Sequence, residues 1–431
     1  MFLNKAWINK NNKCATYTHF DYRICLSDVL DNITNEKYIE THAFKPFLRI
    51  HKETIKYNKD KGRKIKTREI NYASHYDRCI YQYYSLMIDS AYNRYARMKG
   101  INNIAIAYRS NLHKNNVHFA KKAFDYIKNN PGCIVFVGDF TNFFDTLDHK
   151  YLKSKLLNVL AKEELPLHIY KVLKSITRYS FVDYNELKKT LDENNIKQGK
   201  RIIVPMNILR QYKHLIRKNE KYGVPQGVSL SAILSNVYMI DFDKKSMELA
   251  NKNNGLYLRY SDDFIFIFPK KEIYEVNKLY ELIIDEVKKI PNLTLSKEKT
   301  KIYYCNSNYV KSCEREIGNI ENSKNSIDYL GFTYDGRKVS IRDKTIGKYY
   351  YRMYSKIDTI NYRKIKNLNG CGKRNLYLNY SNKGTKEKMN FFTYVQRCID
   401  VFGKEENVHH VLNTHYGKIR KRLNNKKEGR C

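Results

Sequence analysis

The stretch LYLRYSDDFIFIF, residues 256–268, sets two adjacent aspartates, Asp262 and Asp263, between two apolar, β-prone runs. It reads as strand, tight turn, strand. Asp tolerates turn geometry, so SDD alone describes an ordinary hairpin. Neighbouring carboxylates nonetheless repel, and apolar surroundings raise the cost of charging them. A third acid sharpens the point. CIVFVGDF (133–140) is a short β-branched run that reads as a buried strand, and Asp139 stands near its end. If the two strands lie side by side, three carboxylates meet at one end of a sheet and need cations. Oxygen ligands suit Mg²⁺, which keeps waters and shares phosphate oxygens with substrate. Two such ions about 3.5–4 Å apart serve phosphoryl transfer by activating one oxygen and stabilising the other.

The charge balance fits a polyanionic partner. Eighty Lys and Arg against 44 Asp and Glu leave a formal net charge of +36 over 431 residues. A Lys-rich genome explains part of this, but such bias raises acids along with bases. Nucleic acid is the expected partner. Thirty-eight Tyr offer stacking faces for bases, although many will be ordinary core or surface residues. Nine scattered Cys form no C-x-x-C pair, which argues against structural zinc. They read as free thiols in a reducing cytoplasm. No leader is visible in MFLNKAWINKNNK, and no apolar run is long enough to span a membrane.

Helical spacing of apolar residues predicts helices over 72–98, 118–129, 148–178, 226–249 and 273–290. Short strands are expected in LTLSKEKTKIYY and IDYLGFTY. Residues 1–60 give no clear pattern. Past Gly336 the chain turns more basic and Tyr-rich. Residues 337–431 therefore read as a separate, mainly helical lobe, set apart from a first region of residues 1–336.

The ordered motifs resemble those of the reverse transcriptase family. VGDFTNFFDTLDHKYL (137–152) is similar to the first palm motif, and YGVPQGVSLSAILSNVYM (222–239) to the Pro-Gln-Gly motif with its helix. RYSDD matches the Tyr-x-Asp-Asp box, LSKEKTKI the following Lys motif, and YLGF the Leu-Gly turn of the primer grip. Upstream, REINYASHYDRCIYQYY and IAYRSN resemble fingers motifs. Together they cover roughly residues 40–335. The resemblance implies an α+β right-hand polymerase fold, with fingers and palm followed by a helical thumb.

It also implies roles. Asp139 and Asp262 would hold two Mg²⁺ ions, with Mn²⁺ as a substitute, helped by Asp263 and the carbonyl of Phe140. Phe144 would gate the sugar and select dNTPs, while Phe143 or Phe144 is also expected in the core. Arg68, with Lys66, would bind the triphosphate. Gln226 and Gly227 would line the nucleotide pocket. Lys299 would be the acid on the pyrophosphate side, with Lys297 and Lys301 as alternatives. Tyr260, Leu330 and Gly331 would lie at the primer end. In the basic tail, Arg420, Lys421 and Arg422 are expected to bind RNA.

Within the family, the chain is most similar to stand-alone bacterial enzymes of the unknown-group and abortive-infection class, associated with anti-phage defence. That implies a structured non-coding RNA as template and DNA as product. A compact group II intron-like or retron-like enzyme is the alternative. NYASH (71–75) is not a retron Asn-Ala-x-x-His element, and no Val-Thr-Gly follows. From another class, the chain could be an inactive nucleic-acid-binding scaffold, which the retention of all three aspartates opposes.

Overall fold

Short helical turns between Leu26 and Thr41 lead into a long antiparallel ribbon, β1 (Phe47–Asn58) with β2 (Gly62–Tyr72), in register from Leu48↔Tyr72 to Asn58↔Gly62. These observations come from a computed structural model that describes residues 12, 14–58, 62–318, 324–362, 372–384, 389–409 and 415–424. The N-terminal stretch read as lacking a leader therefore lies almost wholly outside the described residues. So do parts of the basic tail, at 363–371 and 425–431.

Helix α1 (His75–Met98) begins at Ser74, whose hydroxyl accepts from the Asp77 amide at 3.1 Å. Then come α2 (Asn116–Lys128) and β3 (Cys133–Asp139). The single helical stretch expected over 148–178 is two helices, α3 (His149–Leu160) and α4 (Leu167–Thr177). Ala161 ends α3 in the left-handed region, and Pro166 precedes α4. Next are β4 (Ser180–Asp183), α5 (Tyr184–Glu193) and β5 (Arg217–Lys218). β4 runs parallel to β1, giving a four-stranded sheet ordered β2-β1-β4-β5. A small core fills its outer side, with Leu48, Val182, Leu187 and Leu209 fully buried.

The helix expected over 226–249 is divided at Met239 into α6 (Ser229–Tyr238) and α7 (Ile240–Lys252). β6 (Leu256–Tyr260) and β7 (Asp263–Phe268) form the expected hairpin. They are followed by α8 (Val276–Lys288), β8 (Lys301–Cys305) and β9 (Val310–Ser312). The central sheet is ordered β6-β7-β3-β8-β9. It is apolar on both faces, as its continuous runs imply. Ile134, Phe136, Phe264 and Phe266 pack toward α1, α6 and α7. Val135, Ile265 and Ile267, in the opposite phase, pack toward α2.

β10 (Ile327–Tyr329), β11 (Phe332–Tyr334) and β12 (Val339–Ile341) make a separate three-stranded sheet. Residue 336, the end of the first region in the sequence reading, lies in the turn between β11 and β12. The tail is thus divided. After α9 (Asp343–Tyr362) and α10 (Lys373–Tyr380), helix α11 (Phe391–Phe402) sends Val395, Cys398 and Phe402 into the core beneath the central sheet. α9, α10 and α12 (His415–Asn424) share their own small core of Met353, Ile357, Ile360, Leu376 and Ile419.

One expectation is overturned. Cys14 and Cys25 form a disulfide, their Cα atoms 4.8 Å apart, so the nine cysteines are not all free thiols. The cysteines stand eleven positions apart, and no local motif signals that closure. Among the described residues, no helix is long and apolar enough to cross a membrane.

Gly138 is dictated by packing. A Cβ there would sit 2.2 Å from the ring of Phe264, its cross-strand partner. Gly138→Ala should therefore destabilise the fold by about 1–3 kcal/mol, read as a lower urea midpoint. Combining it with Phe264→Leu should recover part of that loss, whereas simple additivity would refute the clash.

Candidate active site

The central sheet brings the three acids together. β3 and β7 pair antiparallel with Asp139 opposite Asp263, and Tyr260 faces Asp263 across the hairpin. The Phe140 amide donates to the Asp262 carbonyl at 3.3 Å. On the other side, the loop before β8 straps the strand end. The Ser296 amide donates to the Asp139 carbonyl at 2.9 Å, and the Thr141 amide to the Thr294 carbonyl at 2.8 Å. This strap delivers Lys299, whose ammonium pairs with the Asp139 carboxylate. Lys301 instead pairs with buried Glu314 at 2.8 Å.

Convergence shows in the electrostatics. Burial, then the charge of Asp139, raises the Asp262 carboxyl above its usual range. Asp263 is pushed up to about 7 by burial, then by Asp262 and Asp139, with Arg342 opposing. It also hydrogen-bonds Asp139.

Beneath the turn lies a network that the motifs do not announce. Arg259 is completely buried and bonds both oxygens of buried Asp243, at 2.7 and 2.6 Å. The Tyr257 hydroxyl also donates to Asp243, at 2.9 Å. A third Arg259 nitrogen donates to the Ser261 carbonyl at 2.9 Å. Ser261 itself has φ of 63°, and its hydroxyl accepts from Tyr108 at 3.1 Å. The segment holding Tyr108 is fixed through Ala105, which bridges to Arg259 in the backbone, and through buried Arg109, which bonds Asn93 at 2.8 Å. The available sequence signal was Arg259 itself, a cation within a strand of the core.

The expected nucleotide residues cluster along the neighbouring edge. After Asn142, which has φ of 48°, the short helix Phe143–Thr146 buries Phe143 against Phe140 and leaves Phe144 half-buried. Phe143 is thus the core residue of the pair. The Val224 amide donates to the Phe144 carbonyl at 2.8 Å. That contact sets the Pro-Gln-Gly loop beside this helix, where the Gln226 amide group reaches both Asp145 oxygens at 3.3 and 3.4 Å. Gly227 has φ of 109°, and a Cβ would approach Ile70 Cγ2 at 3.1 Å and the Asn71 carbonyl at 3.3 Å. Arg68 and Lys66 share the phase of Ile70 on β2, and Arg68 is exposed.

Tyr260 is half-buried, and the nearby charge of Asp263 contributes to raising its phenol, after burial and Tyr108. Leu330 and Gly331 form the β10–β11 turn, both at positive φ. Their carbonyls accept from Asn116 at 3.1 Å and from the Arg342 amide at 3.0 Å. The tail cations lie elsewhere, on α12 against α9. Arg420 and Lys421 are exposed, whereas Arg422 is held by Asp358 at 2.7 Å and lies over the Tyr354 ring.

Among the described residues, no group of three or more His, Cys, Asp or Glu side chains is arranged to hold a metal ion by itself. The donor chemistry here fits hard cations differently. Three carboxylates at the ends of adjoining interior strands, flanked by the Phe140 carbonyl, suit ions that complete their shells with water and phosphate.

Antiparallel palm sheet, basic ribbon and paired acid strands define a right-hand polymerase. The profile of the family described as reverse transcriptase (RNA-dependent DNA polymerase) matches residues 50–334. The chain belongs to this family. No curated protein matches it. Among solved structures it is similar to apo telomerase from Candida tropicalis lacking the C-terminal domain, with TM-score 0.42 and 16% identity over 78% of this chain and 64% of that one. Another is telomerase from Candida albicans in complex with a TWJ fragment of telomeric RNA, with TM-score 0.38 and 14% identity over 92% of this chain and 58% of that one. The chain thus spans less than two thirds of either.

The raised Asp263 carboxyl carries a stability prediction. Its folded pKa lies above the unfolded value, so the folded state binds the extra proton, and stability falls as pH rises from about 4 to 7. Without divalent ions, Tm should drop across this window, and Asp263→Asn should flatten the drop. Identical Tm–pH curves for the two proteins would refute the coupling.

Proposed function

We propose that the chain is an RNA-directed DNA polymerase that extends a primer along RNA by two-ion nucleotidyl transfer. The observation carrying this reading is the register that sets Asp139 against Asp263 with Asp262 in the adjoining turn. Asp139 and Asp262 hold Mg²⁺, with Mn²⁺ as a substitute, supported by Asp263 and the Phe140 carbonyl. A bound ion pair supplies charge stabilisation to the attacking and leaving oxygens.

The chain's own groups do the rest. Arg68 and Lys66 bind the triphosphate from the ribbon. Gln226 and Gly227 bound the pocket, where a glycine permits close backbone approach. Phe144 lies under the sugar and excludes a 2′-hydroxyl. Lys299, paired with Asp139, serves as the acid for the departing pyrophosphate once released from that ion pair. Tyr260 and the Leu330–Gly331 turn support the primer end.

The template we infer is a structured non-coding RNA copied in anti-phage defence by a bacterial cytoplasmic enzyme. Support comes from the intact Pro-Gln-Gly motif and the lack of retron elements in the sequence. An exposed basic α12, with Arg420 and Lys421, offers phosphate contacts for it.

Losing a group that only orients a metal ligand costs about 10–100-fold. Asp139→Asn or Asp262→Asn should therefore cut Mg²⁺-dependent dNTP incorporation by more than about a hundredfold. The fold and RNA affinity should hold. Normal synthesis by either variant would sink the assignment. Phe144→Val should raise kcat/KM for rNTPs relative to dNTPs, and an unchanged ratio would place the sugar gate elsewhere.

A further inference from the structure

Helix α9 exposes rings that water alone does not favour. Tyr351 is 72% and Tyr362 89% exposed. They stand eleven residues apart, about three helical turns. Between them runs a groove of about 500 Å³, lined also by Tyr354, Asp358 and, from α12, Arg422.

The wall of this groove is fixed in place. Arg422 bonds Asp358 at 3.0 and 2.7 Å and lies 4.5 Å over the Tyr354 ring. Its carbonyl accepts from Asn361 at 3.2 Å. One turn away, Lys418 lies 4.0 Å over Tyr350, which stacks on Tyr354 with centroids 6.0 Å apart. The groove therefore joins flat π faces to a pinned cationic rim. Its volume suits a group the size of a nucleotide. Duplex bases are already stacked on each other, whereas unpaired bases offer free faces to aromatic rings.

We propose that the α9–α12 groove is a stacking site for unpaired nucleobases of a single strand, distinct from the carboxylate centre. It rests on the polymerase reading only for the origin of that strand, template RNA or product DNA. Tyr351 and Tyr362 supply the open faces. Lys418 draws the backbone phosphates toward the rim, while Arg422, already paired with Asp358, holds the Tyr354 ring still.

The test uses the full chain without dNTPs and unstructured RNA and DNA oligonucleotides carrying 2-aminopurine, with a blunt RNA hairpin as the paired control. Tyr351→Ala and Tyr362→Ala should each weaken single-strand binding about tenfold and reduce 2-aminopurine quenching. Hairpin affinity, thermal melting and extension of a pre-annealed primer should stay unchanged. Tyr351→Phe and Tyr362→Phe, which keep the ring, should bind as the parent does. The salt slope should also hold, because no phosphate contact is removed. Preference for RNA or DNA identifies the strand, and either supports the site. Unchanged single-strand binding in both alanine variants would overturn it, as would equal loss on the hairpin. Ring-dependent binding by a chain that never incorporates dNTPs would defeat the polymerase reading and leave the groove standing.

Discussion

Mutual repulsion of three carboxylates is the constraint around which this molecule is arranged. A sheet that pairs Asp139 with Asp263 cannot avoid it, since the register that buries Phe136 and Phe264 on one face also aligns the acids. Cations of the chain offset part of the cost. Lys299 pairs with Asp139, and Arg342 acts on Asp263. A deeper device fixes the turn. Desolvating Arg259 and Asp243 is costly, and only the two-point bond and the added Tyr257 hydroxyl make such a pair tolerable. What the pair brings is a donor aimed at the Ser261 carbonyl, holding a non-glycine residue in left-handed backbone directly before the acids.

The surface beside the carboxylates is assembled from segments far apart in sequence. Backbone bonds, more than side chains, set their spacing. The Pro-Gln-Gly loop is tied to the short helix after β3 through Val224, and to the ribbon through the bond from the Asn71 amide to the Gln226 carbonyl at 2.9 Å. Gly227 sits where the ribbon passes, and any side chain would push the two apart. The phase of β2 then gives Arg68 and Lys66 the same side as Ile70. Ribbon position and pocket width are thus one variable.

The strands were legible from their short apolar runs, and the acids drew notice because a second run ending in Asp139 gave the Asp262–Asp263 turn a partner. Phe143 and Phe144 could be separated only once the short helix turned one ring inward. Arg259 was visible as an oddity, but its partner lies sixteen residues earlier on another element, and no local pattern joins them. The same holds for the parallel pairing of β4 with β1, for the Cys14–Cys25 link, and for α11 beneath the central sheet. Each depends on long-range closure. The break at Met239 was hidden for another reason, since Met suits helices, whereas Pro166 marked the break after Ala161 in the sequence itself.

The divided tail follows from the same balance of charge and burial. With a formal net charge of +36, the chain repels itself, and its most basic helices gain from standing apart. α12 carries Lys418, Arg420, Lys421 and Arg422, so it can share only a small core, with Ile419 as its fully buried residue. α11 has no such load and goes under the sheet. A polyanion bound across the basic helices would relieve that repulsion in the folded state alone, where the cations are held close. By linkage, such a ligand stabilises the weakly cored region more than the sheet.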